Sequence, residues 1–279
     1  MTDIKTNALE YLGNENVRLE VPFSYKVRFK MRNFFKRFRL MDDFDWEAYS
    51  IHYRAEADFL KRFYTTDLST IDFKFNDGKL YILGDCKPLN LTWRCVYEAV
   101  YNLPKFASVA EIGIGGGILT ANLRTILGKD ITFSGYDISE RQLHFFQEQY
   151  PDVYNNVTTN ILDLAKSHIP ESAMPDLVFA STVLMHIQRP DAYQSALHNL
   201  LLSSRKYVVL MDNWNSHDYF LDLTTKIEQS KLYFYDSGAN IAMVISLQGE
   251  LLKLPYQPLC YRDQLGKYLK DYKYKNLGK

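Results

Sequence analysis

From about residue 108 onward, two hydrophobic periods alternate along the chain. The short apolar runs "SVAEIGI", "DITFSGYDI", "NVTTNIL", "MPDLVFAST" and "KYVVLMDN" read as strands. They lack the strict alternation of a half-exposed sheet, so burial on both faces is expected. Between them, "GILTANLRTIL", "SERQLHFFQEQY", "DAYQSALHNLLLS" and "DYFLDLTTKIEQ" carry apolar residues at helical spacing, with Ser139 in an N-cap position. Strands alternating with helices predict an α/β fold, a doubly wound and mostly parallel sheet covered on both faces. "KLYFYDS" and "NIAMVISL", joined around Ser237-Gly238-Ala239-Asn240, predict an antiparallel hairpin at one edge.

The first 90 residues follow a different pattern, read as an N-terminal mixed helix and hairpin cap. Val27, Met31, Phe34, Phe35 and Phe38 recur at helical spacing inside "KVRFKMRNFFKRFR", residues 26–39, which contains seven basic side chains and no acid. Such a helix either packs its phenylalanines on the core or meets an anionic membrane surface or substrate. Trp46, Tyr49, Tyr53, Ala57 and Leu60 form a second helical stripe. "IDFKFNDGKLYIL" alternates around Asp77-Gly78, which predicts a hairpin at about 71–83. "NLTWRCVYEAVYNL" predicts a helix stopped by Pro104. The expected division is a cap and substrate region at 1–90, a nucleotide-binding domain at 91–254 and a tail at 255–279.

Composition narrows the function classes. The 33 basic residues balance the 33 acidic ones, which argues against a dedicated nucleic-acid binder, so no stable nucleic-acid partner is expected. Cys86, Cys95 and Cys260 form no CxxC pair, which fits a reducing compartment. Neither a signal-peptide pattern nor an apolar run of roughly 20 residues occurs, so a cytoplasmic location is expected, with peripheral membrane contact through residues 26–39. Aromatic residues make up 15% of the chain, including 21 tyrosines, and tyrosine suits the recognition of sugars and rings.

The candidate chemistry lies in "VAEIGIGGG", residues 109–117. A strand, a glycine turn and a helix make a nucleotide cradle. The dinucleotide fingerprint G-x-G-x-x-G/A fails in both frames, because its sixth position is Ile118 counted from Gly113 and Thr120 counted from Gly115. The pattern that fits is E-x-G-x-G-x-G, comprising Glu111, Gly113, Gly115 and Gly117. Asp137 ends the next strand, where a carboxylate can accept both ribose hydroxyls of either NAD or an adenosyl sulfonium. Asp163 follows the third strand, where it can accept from an adenine amino group or cap a helix.

In order and spacing, "EIGIGGG", "GYDIS", "NILDL", "PDLVFASTVLMHI" and "YVVLMDN" make the span 90–250 resemble the class I S-adenosylmethionine-dependent methyltransferases. The resemblance implies S-adenosyl-L-methionine as cofactor. Gly113, Gly115 and Gly117 would admit its methionine portion, with Glu111 ordering that turn. Asp137 would hold the ribose, Ile138 would pack on the adenine, Asp163 would bond its amino group, and Ser181 would lie near the methionine end.

The acceptor is read by elimination. "ASTV" at 180–183 lacks the Asn-Pro-Pro-aromatic motif common among amino-group methylating members, and no cysteine suits attack on a cytosine. The reading is O-methylation of a hydroxyl on a sugar or glycan. A small metabolite under a lid of residues 1–90 and a non-catalytic cofactor-binding module that recruits a partner stand as alternatives. Candidate bases are His186, Asp212, His217 and His52. Asp212-Asn213 resembles the pair of metal-dependent catechol-type enzymes, but Ala180-Ser181 stands where those carry another aspartate, so no metal is expected.

Overall fold

The computed structural model describes residues 67–83, 91–214, 216–238 and 240–259. The basic stretch 26–39, the aromatic stripe 46–60, His52, Cys86, Cys260 and the tail from 260 lie outside these residues. A short 3-10 turn (Leu68–Thr70) leads into β1 (Asp72–Asn76) and β2 (Lys79–Leu83), the predicted hairpin. Asp77 and Gly78 both take positive φ, +48° and +74°, as the tight primed turn requires.

α1 (Leu91–Asn102) precedes the βα repeats: β3 (Ser108–Ile112), α2 (Ile118–Leu127), β4 (Thr132–Asp137), α3 (Glu140–Gln149), the single turn α4 (Pro151–Tyr154) and β5 (Thr158–Ile161). The chain continues through β6 (Leu177–Ser181), α5 (Pro190–Leu202), β7 (Tyr207–Met211), α6 (Tyr219–Thr224), β8 (Leu232–Asp236), β9 (Ile241–Ser246) and β10 (Gln257–Pro258). Eight strands form one sheet in the order β10-β8-β9-β7-β6-β3-β4-β5. β5, β4, β3, β6 and β7 run parallel, and β9 is antiparallel to both β7 and β8. The predicted hairpin therefore inserts its second strand next to the parallel set. β10 adds an antiparallel edge strand from residues assigned to the tail.

Burial on both faces explains the continuous apolar runs. Val109, Leu177, Phe179 and Val209 pack with α1 and α2 on one side, while Ala110, Val178, Ala180, Val208 and Leu210 pack with α5 on the other. Leu68, Leu80 and Ile82 join the first of these cores, so the hairpin shares the sheet's core rather than forming a layer of its own.

A buried carboxylate fastens the hairpin. Glu98 accepts from Leu80 N at 2.8 Å, from Arg94 Nε at 2.7 Å and from the Tyr235 hydroxyl at 2.9 Å, with Lys79 Nζ at 3.5 Å. A buried charge is tolerable only with such partners.

Ser139 occupies the N-cap of α3, as its position predicts, with no side-chain cap hydrogen bond. One local reading changes. α6 stops at Thr224, short of the predicted helix, where Thr224 and Thr225 hydroxyls bond the carbonyls of Leu221 and Asp222 and so compete with helical continuation.

Candidate functional site

The chain runs β3, β4, β5 in one direction along the sheet and returns to place β6 on the other side of β3. That reversal puts the switch point of the sheet at the carboxyl ends of β3 and β6, the ordinary ligand position in an open α/β sheet. The glycine turn after β3 and the bend after β6 meet there. A Cβ on Gly113 would collide with Val183 Cγ2, and one on Gly116 would lie 2.8 Å from Phe145 Cε1.

Two carboxylates brace the turn. Glu111 is buried on β3 and accepts from Thr120 N at 3.1 Å and Thr120 Oγ1 at 2.6 Å. Gly117, the N-cap of α2, has no side chain to cap with. Glu111 therefore satisfies an orphan donor in the first turn of α2 from the preceding strand. Its side chain is only 2% exposed. Asp137, also buried, accepts from Gly115 N at 3.0 Å and Ser139 N at 2.9 Å. The Tyr136 carbonyl accepts from Gly113 N and Ile114 N at 2.7 and 3.0 Å. Burial pushes the Glu111 carboxyl up to about 8, with the charge of Asp137 adding to it, and burial pushes Asp137 up to about 6.

Ile138 is half-buried beside Asp137. Asp163 lies just past β5, whose residue Ile161 is the register partner of Asp137. It caps no helix; its carboxylate accepts from Ala165 N at 3.1 Å and pairs with Lys166 at 2.9 Å. Ser181 ends β6, and its buried hydroxyl finds no partner among the described residues, an orphan that a ligand can satisfy.

Candidate bases gather around the next strand end. Asp212, buried and pushed up to about 6 by that burial, accepts from Leu184 N at 2.9 Å, Met185 N at 3.3 Å and Asn213 N at 2.8 Å. It caps the short 3-10 turn Leu184–His186 and thereby fixes the bend after β6. His217 donates from Nε2 to the Leu184 carbonyl at 3.0 Å and stacks on Tyr193 at 3.7 Å; burial lowers its pKa and favours the neutral ring. His186 is buried at the end of the 3-10 turn. The Tyr219 hydroxyl sits against the Asp212 carboxylate without a hydrogen bond of normal geometry.

Thus Glu111, Gly113, Gly115, Gly117, Asp137, Ile138, Asp163, Ser181, His186 and Asp212 all lie at or just past the carboxyl ends of five neighbouring strands, and His217 is tied to them through Leu184. Residue types alone did not mark Thr120, Val183, Tyr193 or Thr182. Thr182 is exposed and adopts φ +57°, a costly conformation for a β-branched residue. It is held by its N–H to Met211 O at 2.8 Å. Only a polar residue in the first turn of a glycine-capped helix signals Thr120; no sequence signal reveals the strain at Thr182. Among the described residues no group of three His, Cys, Asp or Glu side chains converges as a metal site, and no helix is long and apolar enough to cross a membrane.

Residues 110–203, about a third of the chain, match a family described as a methyltransferase domain. No curated protein matches the sequence. Among solved structures the chain is similar to the CurJ carbon methyltransferase, at 16% identity over 55% of this chain and 52% of that one, with a TM-score of 0.41. It is also similar to an S-adenosylmethionine-dependent methyltransferase from Aquifex aeolicus, at 14% identity over 53% and 85% of the two chains, with a TM-score of 0.40. The glycopeptide N-methyltransferase MtfA, complexed with S-adenosyl-L-methionine, matches at 15% identity over 43% and 53%, with a TM-score of 0.36. The matched span is thus about half the length of the CurJ and MtfA chains.

Proposed function

We propose, from the methyltransferase-domain match over residues 110–203 and the braced glycine turn beside it, that this chain transfers a methyl group from S-adenosyl-L-methionine to a hydroxyl. The observation that carries the cofactor reading is the pair of carboxylates, Glu111 and Asp137, holding a tight glycine turn at the point where the sheet reverses direction. Asp137 has lone pairs beyond its two backbone bonds to offer a ribose, Gly113 and Gly117 let the turn pack directly on Val183 and Phe146, and the orphan hydroxyl of Ser181 has an unmet bond. When bound, the cofactor supplies a methyl already activated on a sulfonium. The chain's task is then to align the acceptor with that carbon and exclude water. The loop pinned by Asp212 supplies the wall on the acceptor side, with His186 and His217 on or against it.

The acceptor reading is supported by "ASTV" at the bend, which offers no amide or proline clamp for an amino group, and by the aromatic content of the chain. A sugar or glycan hydroxyl suits those aromatics, and a small metabolite hydroxyl suits the same site. We place the protein in the cytoplasm, with the basic segment 26–39 as its contact to a membrane or an anionic acceptor.

Calorimetry with the cofactor, followed by methyl transfer to panels of glycans, lipids and small phenols, tests the proposal. Transfer only to amines or carbon would overturn the hydroxyl assignment, and absence of cofactor binding would overturn the rest. Asp137→Asn keeps an acceptor for one backbone bond but loses the charge that strengthens bonds to ribose. Its cofactor affinity is expected to fall about tenfold, the equivalent of about 1.4 kcal/mol. Unchanged affinity would remove Asp137 from the ribose site.

A further inference from the structure

The glycine turn carries two buried carboxylates and, among the described residues, no cation to balance them. Glu111 is 2% exposed and Asp137 is 8% exposed. Their partners are the Thr120 hydroxyl and the backbone N–H groups of Thr120, Gly115 and Ser139. The titratable groups that face Glu111 are Asp137 on β4 and Tyr97 on α1, neither of them basic. The Tyr97 hydroxyl is itself bonded by Asn122 Nδ2 at 3.0 Å and kept neutral by burial. Asp137 faces Glu111 and backbone donors.

The contrast with Glu98 is instructive. That equally buried carboxylate has Arg94 and Lys79 beside it. Buried charges are ordinarily paired or held neutral, and among the described residues the turn has no counter-charge of the kind that Glu98 has. The ligand proposed for the turn brings one. S-adenosylmethionine carries a sulfonium, an α-ammonium and a carboxylate, for a net charge of +1, and methyl transfer leaves a thioether with a net charge of zero.

We propose that Glu111 and Asp137 form an anionic socket that selects the sulfonium donor over its thioether product and gives up protons when the donor binds. The inference rests on the cofactor reading above. Glu111, pushed up to about 8 in the free protein, is largely protonated at neutral pH. A cation entering the turn favours its ionised form, and the proton leaves to solvent. Donor affinity therefore rises with pH until the carboxyl of the free protein is ionised, and levels off above about pH 8. The product lacks the sulfonium charge and gains less over the same range. The socket thus favours exchange of spent cofactor for fresh donor.

The test is titration calorimetry on the full chain with S-adenosylmethionine and S-adenosylhomocysteine from pH 6 to 9, each in two buffers of different ionisation enthalpy, which counts protons directly. The expected result is a fractional proton released with the donor at pH 7, fewer with the product, and a donor-to-product affinity ratio that grows about fivefold to tenfold between pH 6 and 8. Glu111→Gln is expected to bind both ligands with a flattened ratio and reduced proton release. Because the wild-type proton count needs no variant, failure of Glu111→Gln to fold leaves that measurement decisive. Binding of both ligands with a ratio constant in pH and no proton release would overturn the socket while leaving the cofactor assignment standing. No binding of either ligand would overturn the cofactor assignment and the socket with it.

Discussion

Gly117→Ala is expected to lower the stability of the protein by about 2–5 kcal/mol and to abolish cofactor binding. Two independent costs add at this position. Gly117 sits at φ +76° as the N-cap of α2, a left-handed conformation that costs an L-residue about 1–2 kcal/mol. An added Cβ would also fall inside the ring of Phe146, against Cδ2, Cε2 and Cγ. Phe146 is fully buried in the core beneath the turn, so it cannot swing aside, and overpacking of that kind costs about 1–3 kcal/mol. Gly128→Ala reads a backbone cost with no packing cost. Gly128, at the other end of the same helix, combines φ +81° with ψ −172°, a region open essentially to glycine alone, and a Cβ there meets nothing within 4 Å, so only a backbone cost of about 1–3 kcal/mol remains. Urea denaturation of both variants reads the difference. Equal losses would mean that Phe146 yields and that the turn is looser than its packing implies.

That comparison also shows what was legible in the sequence. The glycine spacing, the acid before it and the acid ending the next strand could be read directly, because a sharp turn over buried backbone requires residues without side chains and leaves donors for a carboxylate to take. The parallel strands were legible because burial on both faces writes itself as unbroken apolar runs, as in "LVFAS" and "YVVLM". What escaped depended on contacts between residues far apart in the chain. Nothing in the local pattern marks Glu98, whose importance emerges only where Leu80, Arg94 and Tyr235 converge on it. β9 inserts between β7 and β8 because both of its faces are apolar enough to sit inside the sheet, and every residue of Ile241–Ser246 is buried. Local pattern alone leaves such a hairpin at the edge. Thr182 looks like an ordinary residue in a small-residue bend, and only the backbone shows its positive φ.

The same limit applies to Asp212, where the residue type suggests a base and the geometry argues for a scaffold. Both carboxylate oxygens are occupied by backbone N–H groups, and two of these, from Leu184 and Met185, belong to the turn after β6. Asp212→Ala would strip that turn of its cap and leave buried donors unmet, at about 2–4 kcal/mol for the pair. The expected kinetic signature is a fall in kcat of about a hundredfold with cofactor affinity within a few-fold of wild type, since the glycine turn and Asp137 are untouched. Asp212→Asn decides between scaffold and base. An asparagine can still accept from Leu184 N through its carbonyl oxygen, so a scaffold role predicts that much of the activity survives and that the pH profile keeps its shape. A base at this position, with the carboxyl pushed up to about 6 by burial, predicts instead that turnover collapses at every pH and that an ascending limb near pH 6 disappears. Because both carboxylate oxygens are already engaged by backbone N–H groups that hold the turn, retention of the limb is the expected result.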